Sequence, residues 1–137
     1  LKQVRFSIHG VTVEVTAEES RYFDILTELA EDFRELDCHT GVTSQIQMHF
    51  VNATPWQQSG RELPVRLWRA KHCSVYGLGR SRICVYANGE VIESRSLRHI
   101  RRFWVAGSGN KILREAAYKA LLSAIGEALD KKGFHRV

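Results

Sequence analysis

Ile83-Cys84-Val85-Tyr86-Ala87-Asn88-Gly89-Glu90-Val91-Ile92-Glu93-Ser94 is the clearest hairpin signal in the chain. Two β-rich runs, 83–87 and 90–94, flank an Asn-Gly pair, and Asn-Gly supplies the two left-handed residues of a type I′ turn. The runs are expected to pair antiparallel, with Val85 facing Ile92 and Tyr86 facing Val91. Toward the N-terminus, residues 65–70 and 74–78 are short strand-like runs, and Gly77, Gly79 and Ser81 mark a turn or bulge before the hairpin. Toward the C-terminus, residues 100–105 form one more strand.

Further out, alternation returns at both extremes. Val4, Phe6 and Ile8, then Val11, Val13 and Val15, alternate with other residues around His9-Gly10, which predicts an opening hairpin. Ile46, Met48 and Phe50 share one face of a strand over 45–51. Residues 52–63 are polar, carry Pro55, Ser59 and Gly60, and predict a long exposed loop anchored by Trp56.

Two helical patterns complete the chain. Thr16-Ala17-Glu18-Glu19 has the form of a capping box, and Tyr22, Leu26, Leu29, Phe33 and Leu36 recur as one apolar stripe on the helix expected to follow. Gly107-Ser108-Gly109-Asn110 caps a second helix over about 111–132, whose stripe is Leu113, Ala117, Leu121, Ile125 and Ala128, with Leu129 beside it. Lys131 and Lys132 suit the negative end of its dipole, and Gly133 suits its C-cap. The fold expected is α+β: a mostly antiparallel twisted sheet with two helices packed on one face.

The chain has 137 residues, 44% of them hydrophobic and 26% charged, which is the length and composition of a single domain able to bury a core unaided. No apolar run approaches the length of a membrane span and no signal-peptide pattern opens the chain. Three cysteines, Cys38, Cys73 and Cys84, lack C-x-x-C spacing and fit reduced, buried thiols in a cytoplasm. The start at Leu1 and the Phe134-His135-Arg136-Val137 ending, directly after a helix stop, predict a piece of a longer protein. Phe134 and Val137 would then belong to a strand, and the exposed edge predicts a homodimer through terminal or edge strands.

Candidate chemistry is sparse. Gly107-Ser108-Gly109-Asn110-Lys111 sits where a phosphate loop would, between a strand and a helix. Asn110 nevertheless separates glycine from lysine, Ile112 replaces the hydroxyl residue, and the first glycine is missing, so an ordinary turn into a helix is expected. Cys38-His39 and His72-Cys73 are adjacent pairs, whose side chains diverge on an extended strand, and no metal site is expected. Acidic residues on the first helix lie off its stripe and form a solvated face. No nucleophile elbow occurs, and neither catalytic residues nor a cofactor are expected.

Charge is distributed unevenly. Residues 1–60 carry four Lys/Arg against nine Asp/Glu, 61–102 carry ten against three, and 103–137 carry six against three. The middle segment holds Arg80, Arg82, Arg95, Arg98, Arg101 and Arg102 interleaved with Trp68, Tyr76 and Tyr86, and Trp104 follows. Arginines and aromatics on a sheet form the surface that single-stranded nucleic-acid binders use; a basic sheet edge that resists self-pairing, answering the acidic helix, has the same composition.

The run KILREAAYKALLSAIGEALDKKGFHRV, residues 111–137, resembles the segment upstream of the phosphate loop in HPr kinase/phosphatase-related proteins, where a helix with a basic-Gly exit leads to a strand beginning near a histidine. The resemblance implies a non-catalytic accessory or recognition domain, with a C-terminal kinase-like domain as its partner in the same chain. No residue here inherits that family's catalytic roles. The alternative is a basic nucleic-acid-binding module using the arginine and Trp104 surface.

Overall fold

The computed structural model describes residues 1–33, 44–109 and 111–131. β1 (Lys2–Ile8) and β2 (Val11–Ala17) form the opening hairpin, closed by a two-residue loop in which His9 (φ 46°) and Gly10 (φ 83°) are both left-handed. That is the type I′ geometry, whose twist matches the flanking strands. Val11, Val13 and Val15 are wholly buried, as their period of two demands.

The helix that follows starts later than its apparent cap. Thr16 and Ala17 belong to β2, flanked by β1 and β3, and the Thr16 hydroxyl lies 2.7 Å from His49 Nδ1 instead of capping a helix. The ladder engages these backbones on both sides and overrides the local capping signal. A single 3-10 turn (Ser20–Tyr22) then leads into α1 (Phe23–Phe33), which buries Ile25, Leu26, Leu29 and Phe33. Leu36 lies outside the described residues. α1 belongs to the crossover that β2 and β3 (Ser44–Val51) require, because these strands are parallel.

The expected loop after β3 contains a third, short helix, α2 (Pro55–Ser59). Thr54 and Gln57 form a reciprocal capping box, Pro55 occupies the first turn, and Gly60 ends the helix at φ 69°. Five strands follow: β4 (Val65–Arg69), β5 (Cys73–Leu78), β6 (Ser81–Tyr86), β7 (Val91–Ser96) and β8 (Ile100–Ala106). From β5 on, each strand pairs antiparallel with the one before it, and β8 closes against β3 in parallel, giving one eight-stranded sheet of order β1-β2-β3-β8-β7-β6-β5-β4.

The β6–β7 register differs by one residue from expectation: Val85 faces Val91 and Cys84 faces Ile92. Gly89 has φ 97°, while Asn88 is not left-handed. Gly89 N donates to Tyr86 O and Tyr86 N to Glu90 O, so a three-residue loop with a glycine bulge replaces the type I′ turn.

α3 (Lys111–Lys131) buries Leu113, Ala117, Leu121 and Ile125, with Ala128 and Leu129 half-buried beside them. α1 and α3 lie together on one face, above Phe6, Val13, Met48, Phe103 and Val105; the Phe6 and Phe33 rings stack at 4.8 Å and the Phe33 and Tyr118 rings meet at 5.5 Å. Asn110, the expected cap, and Lys132 and Gly133, the expected C-terminal signals, lie outside the described residues. α2 sits on the opposite face, where Trp56 N donates to the Glu93 carboxylate at 2.8 Å. α1 and α3 cover the β1-β2-β3-β8 side of the sheet, and β4 and β5 extend beyond the core as a wing. Among the described residues no helix is long and apolar enough to cross a membrane.

Candidate ligand-binding face

The sheet face turned away from α1 and α3 is polar because β3 and β8 alternate in phase. Ile46, Met48, Phe103 and Val105 point to the helices, so Gln47, His49, Arg102 and Trp104 point the other way. Register extends these positions into two rows. Arg95, Arg102, Gln47, Glu14 and Arg5 form one; Glu93, Trp104, His49 and Thr16 form the next.

Contacts hold this surface in place. Arg102 Nε donates to Gln47 Oε1 at 2.9 Å, and its guanidinium lies 6.0 Å from the Trp104 ring centre. The His49 and Trp104 rings are 6.5 Å apart. Burial, and then the Arg102 charge, hold the His49 pKa below its ordinary 6.5, against an opposing pull from Glu14. His49 is therefore neutral at pH 7, leaving the arginines as the cations of the face. Glu93 is buried, and its carboxylate receives the Trp56 amide in the first turn of α2, so its role is to dock that helix.

Only part of the arginine set gathers here. Arg95 and Arg102 are directly paired and share the face with Trp104. Arg101, one residue from Arg102 on the same strand, points to the helix side, where it donates to Glu127 of α3 at 2.8 Å and lies 5.1 Å from the Phe103 ring centre. Arg82 is also on the helix side and folds back onto the Gly79 and Ser81 carbonyls, both at 2.8 Å. Arg80 lies in the β5–β6 turn and Arg98 in the β7–β8 turn. Arg98 and Arg101 line an open cavity of about 550 Å³ at that end of the sheet, with Ser44, His99 and Glu127.

Gln47, His49, Glu14 and Arg5 escaped the sequence reading. Gln47 and His49 were recoverable in principle as the off-face partners of Ile46, Met48 and Phe50, but only strand order puts them beside Arg102.

The glycine turn before α3 is built for packing. A Cβ on Gly107 would stand 2.6 Å from Cγ of the buried Glu90 and 3.2 Å from a methyl of Leu113, so the glycine lets these side chains close against the turn. The Tyr22 hydroxyl lies 2.7 Å from Gly107 O and 3.0 Å from Val51 O, and receives Arg21 at 2.8 Å, tying this turn to the end of β3.

Cys73 and Cys84 are half-buried, more exposed than expected, and unpaired. Burial, and then Cys73, push the Cys84 thiol up, which disfavours a nucleophilic thiolate. Cys38 and His39 lie outside the described residues; among the described ones, no three His, Cys, Asp or Glu side chains converge as a metal set. Comparison with protein-family models, with curated proteins and with solved structures finds no match to this chain.

Proposed function

We propose that this chain is a non-catalytic recognition domain of a cytoplasmic protein, accessory to an HPr-kinase-like unit, and that it works by presenting the polar sheet face. The observation that supports recognition is the fixed cluster of Arg102, Gln47, Trp104 and His49 on a side that α1 and α3 leave uncovered. The kinase setting is supported by the resemblance of residues 111–137. Calorimetric titration of the chain with magnesium-ATP is expected to give neither binding nor hydrolysis. Micromolar affinity abolished by Lys111→Ala would overturn this reading.

The pairing of Arg95 and Arg102 beside Trp104 favours a second reading, in which the ligand of the face is a single-stranded nucleic acid. Phosphates would meet the guanidinium groups and a base would stack on the indole. Replacing either arginine by alanine should flatten the salt dependence of oligonucleotide binding by roughly one unit of slope, while Trp104→Ala weakens binding by about 1–3 kcal/mol. Absence of binding at low salt removes this second reading and leaves the first intact.

A further inference from the structure

β4 is one of the two edge strands of the sheet, at the end opposite β1, and among the described residues no strand pairs with its free edge. All five of its residues are exposed. Their side chains are sorted by face. Register places Val65 opposite Gly77 and Trp68 opposite Val75, on the helix side, and a bulge between Arg66 and Trp68 puts Leu67 there too, against Gly77. Arg66 and Arg69, opposite Tyr76 and Ser74, take the other side. Val65, Leu67 and Trp68 are 70%, 51% and 60% exposed, and they continue inward through Val75 and Cys84 as one apolar row.

Charge narrows the occupant. Arg61, Arg66, Arg69 and Lys71 are all exposed along this edge, and Glu62 is the only acid from 61 to 86. Pairing with a second copy would bring two such sets within about 8–10 Å, where physiological salt screens them incompletely. Like charges at a strand edge are a known defence against that pairing. The same charges attract a strand of opposite sign.

We infer that the β4 edge docks an extended segment of a partner protein in which acidic and apolar residues alternate. The segment adds a ninth strand: its backbone pairs with β4, its apolar side chains lie beside Val65, Leu67 and Trp68, and its carboxylates face Arg66 and Arg69. Main-chain hydrogen bonds supply affinity in this mode and the alternating side chains supply specificity. Three strands, β5 to β7, separate the site from the Arg102 and Trp104 cluster, and its test does not depend on what that cluster binds.

A blocked peptide alternating valine and glutamate is the probe, with the valine–lysine peptide as its control. The glutamate peptide is expected to bind the full chain and to slow amide exchange in 65–69. Arg66→Glu with Arg69→Glu should weaken it by about tenfold or more and turn the preference to the lysine peptide, since apposed charges set partner choice. Equal binding of both peptides to the wild-type chain, protection falling on β8 instead of β4, or no binding at low salt would overturn the inference. So would protection of 65–69 that rises with protein concentration without peptide, which would assign the edge to a second copy.

Discussion

His49 shows how much of this surface is set by single contacts. Its ring is half-buried between the Thr16 hydroxyl and Trp104, and burial and Arg102 both disfavour its protonated form. The unfolded chain therefore takes up a proton on this side chain before the folded one does. Stability from His49 is fully present above its ordinary pKa of 6.5 and is lost as the pH falls through the lower folded value. Urea unfolding at about pH 7.5 and about pH 5 is expected to show a larger acid-induced loss for the wild-type chain than for His49→Gln. Equal losses would mean that Glu14 offsets burial and Arg102 together at this site. Tyr86 has the opposite dependence: burial first, then Cys84 and Cys73, push its hydroxyl up to about 12, so its contribution is lost in alkali.

Among the elements, α2 is the one that local chemistry builds most completely and sequence reading missed. Thr54 is wholly buried, its hydroxyl receives Gln57 N at 3.3 Å, and Gln57 Oε1 receives Thr54 N at 2.8 Å. Thr54→Ala should cost about 1 kcal/mol in chemical denaturation, a typical N-cap loss, and should expose Trp56 to a quencher by freeing its helix from Glu93. No change in either measurement would place the anchor of α2 in Pro55 and Glu93 alone. The T-P-x-Q pattern was visible, but Pro55, Ser59 and Gly60 so close together carried the stronger message of a loop. Thr16 misled in the other direction: a good cap in sequence is overridden where both flanks of its strand are paired. The long stripes, Leu26 to Phe33 and Leu113 to Ile125, and the β1–β2 alternation were legible because one buried face imposes a single period. The split of the arginines was not. Whether Arg101 or Arg102 faces the helices depends on the phase of β8 against β3, a non-local parallel pairing that no run of neighbouring residues encodes.

Across the whole molecule, stability should be graded along the sheet. β2, β3 and β8 are paired on both edges and carry the buried Val11, Val13, Val15, Ile46, Met48, Phe50, Phe103 and Val105 beneath α1 and α3. β4 has one neighbour and no buried residue, while β5 buries only Gly77. Opening the wing therefore sacrifices a few ladder hydrogen bonds and little apolar burial, whereas opening β3 dismantles the core. Local openings range from near zero up to the global unfolding free energy, which is about 5–15 kcal/mol for a domain, so the two halves should sit at opposite ends of that range. Native-state hydrogen exchange is expected to show amides of 44–51 and 100–106 exchanging only through global unfolding, with their rates tracking denaturant stability. Amides of 65–69 should exchange orders of magnitude faster and almost independently of denaturant, and those of 73–78 should fall between. Slow, denaturant-dependent exchange in 65–69 for the free chain would show that the wing folds as one cooperative unit with the core. The free edge would then be rigid before any partner arrives, and docking would require no ordering of β4.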